Sequence, residues 1–343
     1  MTRAAAAIVL LLAALWPCAA AATWSWPDPD ALGGVAGEAV TYPSNSPFTL
    51  SDVGADAERN PPTPAVATWY APRGATAARR APAVILLHGS AGVQEPREHT
   101  YARQFAAMGI AALVVDSFGA RRDRGTGFLE RVLNITEAML LADAYAGLRW
   151  LAARPEIDGE RVAMIGFSYG GMASVYAAHA QVAESYAPKG ERFAAHVAFY
   201  APCIARFRDA RATGAPLLML SGTGDALIDP ARCAEVAADL EAGGSTVETI
   251  RYEGAFHQWD GRFGAPRTIG RNLAPCELRV ERDGTVRDLT TFLTMDGPLA
   301  RKVILGLCSD PDGYMIGRDD AVRARSNRDM ASFLERIFAR AED

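Results

Sequence analysis

Ala163-Met164-Ile165-Gly166-Phe167-Ser168-Tyr169-Gly170-Gly171 is the stretch on which the reading of this chain turns. The apolar run over residues 161–165 has the character of a strand, and the small residues over 172–180 read as a helix. Between them, Gly166-x-Ser168-x-Gly170 has the spacing of a strand–turn–helix nucleophile elbow. In such a turn the serine sits on strained backbone, and glycines stand where a side chain would crowd the neighbouring strand and helix. The hydroxyl is lifted above the sheet, and the helix N-terminus is aimed at the reacting centre. A pentapeptide of this kind also recurs by chance as a plain Gly/Ser turn. The rest of the chain has to decide.

From Pro82 onwards, strands and helices alternate. Residues 83–87 form a continuously apolar strand that ends in His88-Gly89-Ser90-Ala91-Gly92. A helix over about 98–108 and a strand over 111–115 follow. A long helix over 134–153 then carries Ala138, Leu141, Ala142, Tyr145, Leu148 and Leu151 at helical spacing. Further strands read at 195–200, 216–220 and 246–252, with helices at 230–242 and 326–339. The pattern predicts an α/β fold with a mainly parallel central sheet flanked by helices. Residues 23–64, rich in Pro, Ser, Asp and Gly, read as an N-terminal extension with a strand at 39–42, and a further strand reads at 65–70. The periodicity weakens over 261–320, which reads as an insertion before the last helix. Residues 23–343 are therefore expected to form a single domain, without internal repeats.

The chain has 343 residues, half of them apolar, and a net charge of −5. That balance argues against nucleic acid or an anionic membrane surface as a partner. At the N-terminus, Arg3, the apolar run 4–16 and Ala20-Ala21-Ala22 predict a signal peptide over residues 1–22. The apolar run is too short to span a membrane, and Pro17 is a poor predecessor for lipid modification of Cys18. The expectation is export, to the periplasm or beyond. Export leaves Cys203, Cys233, Cys276 and Cys308, an even number in an oxidising compartment. With no C-x-x-C or H-E-x-x-H pattern, disulfides are favoured over a metal site, and no cofactor is called for. Cys203 follows one strand, and Cys233 lies in the helix after the next, so both fall on the C-terminal edge of the sheet. Cys276 and Cys308 bracket the insertion. The expected pairs are Cys203–Cys233 and Cys276–Cys308.

A serine hydroxyl is a weak nucleophile until a base takes its proton, and the base needs an orienting carboxylate. Of five histidines, His196 lies inside a strand, His179 inside a helix, His99 at a helix start, and His88 beside a glycine where it shapes a loop. His257 follows a strand in the loop Glu253-Gly254-Ala255-Phe256-His257, at the sheet edge where α/β folds place their sites. Asp225 ends Ser221-Gly222-Thr223-Gly224-Asp225 after another strand, while Asp229, beside Pro230, reads as a helix cap. The N–H groups of Tyr169 and Ser90, with Ala91 as the alternative to Ser90, are the candidate oxyanion donors. In Ala120-Arg121-Arg122-Asp123-Arg124, Arg121 is a candidate clamp for a substrate carboxylate, set against the plainer reading of a solvated loop.

These segments together give a family resemblance. Leu87-His88-Gly89, Val115-Asp116-Ser117-Phe118, Asp158-Gly159-Glu160-Arg161-Val162-Ala163, Gly166-Phe167-Ser168-Tyr169-Gly170-Gly171, Phe199-Tyr200-Ala201-Pro202-Cys203, Gly222-Thr223-Gly224-Asp225 and Gly254-Ala255-Phe256-His257 resemble the dienelactone hydrolase-like branch of the α/β-hydrolase superfamily, in its exported form. The resemblance implies the α/β-hydrolase fold, Ser168, Asp225 and His257 as a triad in the order Ser…Asp…His, and a small-molecule ester as substrate. Dienelactone hydrolases proper are typified by a cysteine nucleophile and by an acidic residue beside or in place of the oxyanion-loop histidine. Ser168 and Gly89 depart from both, which turns the expectation to serine esterase chemistry through an acyl-enzyme. The alternatives are a peptidase or amidase on the same fold and a non-catalytic binding scaffold. A haloalkane dehalogenase would need a carboxylate at position 168. The oligomeric state is not encoded in any of these patterns.

Overall fold

Eight strands form one sheet, and its central strands carry continuous apolar runs. The computed structural model describes residues 24–32 and 34–339. The signal peptide expected over residues 1–22, and Cys18 with it, lies outside them. In chain order the first half comprises β1 (Glu38–Tyr42), β2 (Ala65–Tyr70), β3 (Ala81–Leu87), α1 (Thr100–Ala107), β4 (Ala111–Val115), α2 (Phe128–Asn134), α3 (Glu137–Ala152) and β5 (Ile157–Phe167). Then come α4 (Tyr169–Ala177), α5 (Ala180–Tyr186), β6 (Ala195–Phe199), β7 (Ala205–Phe207), β8 (Leu217–Gly222), α6 (Pro230–Ala242) and β9 (Val247–Tyr252). The strand order is β1-β2-β4-β3-β5-β6-β8-β9. The pairs β1–β2 and β2–β4 are antiparallel, and every other neighbouring pair is parallel.

Continuous apolar strands belong in a sheet covered on both faces. Successive side chains alternate between those faces. Ile85, Leu87, Leu113 and Met164 pack with α3 and α4 through Tyr145 and Met172. Val84, Leu86, Val114 and Ile165 pack on the other side with Phe105 of α1 and with Phe333 of the last helix. Because β3, β5, β8 and β9 run parallel, the loops after Leu87, Phe167, Gly222 and Tyr252 all open on one edge. That edge brings together residues far apart in sequence.

The insertion is more ordered than its pattern suggests. It contains β10 (Arg267–Ile269), β11 (Leu278–Val280), β12 (Val286–Asp288), α7 (Pro298–Cys308) and β13 (Tyr314–Ile316), ahead of α8 (Asp320–Phe338). Its strands pair in two small sheets, β10–β13 and β12–β11–β7, with β11 parallel to β7. Strands of three residues are too short to show alternation, which is why β7 and these strands escape a periodicity reading. Three helix boundaries also move. The long helix read over 134–153 is α3, which starts at Glu137 after Thr136 in an extended conformation, and the short α2 before it escapes the reading. The helix read over 172–180 is α4, which ends at Ala177, and His179 lies outside both it and α5. It caps α5 in an extended conformation and bridges to Ala212. The last helix begins earlier than read, at Asp320, where the Asp319 carboxylate accepts from Val322 N at 2.9 Å.

Cys203 pairs with Cys233 and Cys276 with Cys308, with Cα separations of 5.1 and 4.9 Å. The first ties the segment after β6 to α6. The second ties the C-terminus of α7 to the segment before β11. Among the described residues, no helix is long and apolar enough to cross a membrane.

Candidate active site

β5 delivers the chain to Ser168, whose backbone lies at φ 54° and ψ −109°, a region that residues other than glycine rarely adopt. The position is over-determined by its surroundings. Ser168 N donates to Phe199 O at 2.9 Å, and Ser168 O accepts from Met172 N at 2.8 Å, the first bond into α4. A Cβ at Gly166 would overlap the carbonyl of Gly170, and one at Gly170 would overlap the carbonyls of Leu87 and His88. Only glycine at both places lets α4 fold back so tightly on β5 and β3. The amides in the first turn of α4, Tyr169 N–H foremost, have no intrahelical acceptor. They point out of the helix beside the serine.

His257 and Asp225 reach the same point from the ends of β9 and β8. Ser168 Oγ lies 2.8 Å from His257 Nε2, and His257 Nδ1 lies 2.6 Å from Asp225 Oδ2. A carboxylate only accepts, so the proton sits on Nδ1 and Nε2 is free to accept from the serine hydroxyl. Asp225 is held in turn, its Oδ1 accepting from Leu227 N at 3.0 Å. The insertion backs the histidine. His257 N donates to Met315 O at 3.1 Å, and Gly317 N donates to His257 O at 3.1 Å, so β13 fixes the loop that carries the ring. The imidazole is packed between Tyr200 and Tyr314, at centroid distances of 4.7 and 5.0 Å. All three side chains are buried.

The chain's sequence matches the model of the dienelactone hydrolase family over residues 67–265, more than half its length. The chain belongs to that family. It is accordingly a serine hydrolase acting on ester bonds, on an α/β-hydrolase fold. Among solved structures, a dienelactone hydrolase-like promiscuous phosphotriesterase from metagenomic libraries aligns with a TM-score of 0.50 at 20% identity, over 88% of this chain and 100% of the other. A thermophilic esterase from the Planctomycetes species Thermogutta terrifontis aligns with a TM-score of 0.48 at 17% identity, over 66% of this chain and 84% of the other. No curated protein matches the chain.

Beside Ser168 this dienelactone hydrolase-family enzyme has a pocket of about 470 Å³, and Ser90 and Tyr169 are among its lining residues. The turn at Gly89 approaches the nucleophile closely, a Cβ there standing 3.3 Å from Ser168 Cβ. Tyr169 also anchors a buried cluster that the sequence did not disclose. Its hydroxyl lies 3.0 Å from Glu137 Oε2 and accepts from Arg301 Nη2 at 3.2 Å, while Arg301 Nη2 is 2.9 Å from the same Glu137 oxygen. Burial alone would raise the Glu137 carboxyl, but the Arg301 guanidinium and its hydrogen bonds hold it below its ordinary value. A second cluster supports the histidine loop. Tyr200, at φ 39°, donates to Asp260 Oδ1 at 2.6 Å, and Arg97, wholly buried, stacks on Phe167 with its guanidinium 5.0 Å from the ring centroid. Arg301 sits in the weakly patterned insertion and Asp260 three residues beyond His257. Neither position carries a local signal.

Arg121 is not at the site. Its guanidinium is wholly buried and bound to Asp143 of α3, and it does not line the pocket, so the expectation of a substrate clamp is corrected. The exposed cations at the pocket are instead Arg271 and Lys302. Asp229 is the cap of α6, accepting from Ala231 N at 2.9 Å. Among the described residues, no three His, Cys, Asp or Glu side chains are grouped to hold a metal ion.

The other histidines are packed. His88 is buried against Phe118, with its Nδ1 2.8 Å from Gly89 O, and His99 Nδ1 meets the Tyr70 hydroxyl at 2.9 Å. Burial pushes His179 down to about 4 and His196 down to about 3. Both are thus neutral in the folded protein, while the same rings in the unfolded chain take up protons below about 6.5. Stability is therefore full above that value and falls as the pH drops from about 6.5 towards 4. The urea midpoint should be clearly lower at pH 5.0 than at pH 7.5, and His179→Gln should reduce the difference, leaving the part due to His196. Equal midpoints at the two pH values would contradict the account.

Proposed function

We propose that Ser168, His257 and Asp225 form a catalytic triad that cleaves carboxylic esters through an acyl-enzyme. The observation that carries this reading is the unbroken chain Ser168 Oγ–His257 Nε2 at 2.8 Å and His257 Nδ1–Asp225 Oδ2 at 2.6 Å. As Ser168 Oγ attacks the ester carbonyl, its proton passes to His257 Nε2. Asp225 stabilises the resulting imidazolium through Nδ1–H. The oxyanion of the tetrahedral intermediate takes hydrogen bonds from the N–H groups of Tyr169 and Ser90, the first reinforced by the N-terminus of α4. Its collapse expels the alcohol oxygen, which takes the proton from Nε2. Water, deprotonated at the same nitrogen, then attacks the acyl-enzyme, and the acid leaves as Ser168 Oγ recovers its proton. No step calls on a metal or an organic cofactor.

Two disulfides support an oxidising location, and with the N-terminal sequence they make the proposed setting the periplasm or the exterior. A fluorophosphonate probe tests the chemistry. It should label one peptide, the one containing Ser168, and Ser168→Ala should abolish the label. A protein that hydrolyses nothing and takes no label would be a binding scaffold instead.

A further inference from the structure

The pocket beside Ser168 owes most of its wall to segments without a chemical role in the mechanism. Met172 and Tyr176 line it from α4, Leu133 from α2, Leu278 from β11, Leu305 from α7, and Ile204 from the chain just before β7. Two of these elements, β11 and α7, belong to the insertion. The Cys276–Cys308 disulfide joins the parts of the insertion to one another, and Arg301 anchors it, reaching Glu137 of α3 at 2.9 Å and the Tyr169 hydroxyl of α4 at 3.2 Å.

The charges are arranged to leave the interior apolar. Glu137 and Arg301 neutralise each other, and the remaining cations, Arg271 and Lys302, are exposed at the rim. Phe128 and Leu129, 47% and 61% exposed, continue the apolar lining to the mouth. A polar substituent inside would lose its water and find few partners, the hydroxyls of Tyr176 and Tyr314 among them. An apolar one gains at every carbon buried.

The depth follows from helix geometry. Met172 and Tyr176 lie about one and two turns beyond Ser168, and the eight residues to Tyr176 advance about 12 Å along the axis. A decanoyl chain is long enough to span that distance, and an acetyl group is not.

We propose that this pocket takes an extended alkyl chain of the substrate, so that the enzyme is selective for esters carrying a long apolar chain on one side of the carbonyl. The proposal rests on the ester-hydrolase reading and adds to it the substrate class and the residues that set it. Each methylene added within the pocket should raise kcat/KM by up to about fourfold, the equivalent of about 0.8 kcal/mol per buried CH₂. The rise ends where the chain emerges at the rim.

Two substrate series, assayed below their micellar concentrations, identify which side of the ester is bound. One is p-nitrophenyl acetate, hexanoate and decanoate. The other is ethyl, hexyl and decyl acetate. A rise along the first series places the acyl chain in the pocket, a rise along the second places the alcohol there, and either supports the proposal. Leu305→Trp fills the wall from α7 and should lower the decanoate-to-acetate ratio, or its alkyl counterpart, at least tenfold. Leu133→Phe, from α2, should lower it in the same direction should the first variant fold poorly. Rates are expressed per serine labelled by fluorophosphonate, so a loss of folded protein does not mimic a change in preference. Kinetics that are flat or falling with chain length in both series, or ratios unmoved in both variants, would overturn the proposal. Absence of both labelling and hydrolysis would strike the ester-hydrolase reading instead.

Discussion

Ser168→Ala should leave a folded protein whose ester turnover has fallen on the order of 10⁵–10⁶-fold, and His257→Ala should fall as far. The two losses should not add. With the nucleophile gone the base has no proton to take, so the double variant should be no slower than either single one. Asp225→Asn is a milder lesion in shape and a severe one in chemistry. The amide can still occupy the place 2.6 Å from Nδ1, but it can offer an N–H there, favour the wrong tautomer and leave the imidazolium without its counter-charge. A loss of about 10⁴-fold in kcat is expected. Asp229→Asn separates the two acids of this loop. Asp229 caps α6, and an asparagine oxygen caps a helix about as well, so the replacement should cost no more than a few tenths of a kcal/mol of charge–dipole stabilisation and leave turnover intact. Steady-state kinetics on a p-nitrophenyl ester, normalised to folded protein, measures all five. Wild-type turnover in either alanine variant would remove that residue from the mechanism. A dead Asp229→Asn beside an active Asp225→Asn would transfer the acid's role.

The residues of this proposed triad were legible because each follows the C-terminal end of a strand, and parallel strands put those ends on one edge. Gly166 and Gly170 were legible for a steric reason that acts within a few residues. The disulfides could be paired because strand order places Cys203 near Cys233. What the sequence hid depends on contacts between distant segments. Arg301 meets Glu137 across 164 residues, and Tyr200 meets Asp260 across 60. No periodicity records either distance. The insertion was opaque for a different reason, since its strands of three residues are held by pairing with β7 and with each other rather than by an apolar stripe.

Arg121→Ala should destabilise the fold by about 3–5 kcal/mol while leaving substrate preference unchanged, the reverse of what a substrate clamp would do. Its sequence context, four charged residues in a row ending in Arg124, has the look of a solvated loop. The informative signal was in its partner. Asp143 lies in α3 between Ala142 and Ala144, in a helix buried nearly all round, and a carboxylate there requires a cation. Arg121 supplies it twice over, with Nη1 2.6 Å from Asp143 Oδ2 and Nη2 3.0 Å from Oδ1. The remaining donors are used as fully: Nε to Ser46 Oγ at 2.7 Å, Nη2 to Asn45 O at 2.8 Å, and Nη1 to Ser117 O at 3.1 Å. Ser44 and Ser117 hydroxyls complete the carboxylate, each at 2.7 Å. One guanidinium thus joins the N-terminal extension, the loop after β4 and the middle of α3. Removing it strands a buried charge, a loss comparable with much of the 5–15 kcal/mol that holds a typical domain together. Arg121→Lys should recover only part, because an ammonium cannot reproduce the paired, planar contacts. The double variant Arg121→Met/Asp143→Leu removes both charges and should regain most of the lost stability, which keeps the test readable even if the single variant is largely unfolded. Urea midpoints at pH 7 give the stabilities, and the ratio of kcat/KM for a neutral and a carboxylate-bearing ester gives the preference. A stable Arg121→Ala protein with an altered ratio would return Arg121 to the substrate; a double variant as unstable as the single one would show that the stranded charge of Asp143 is not the cause.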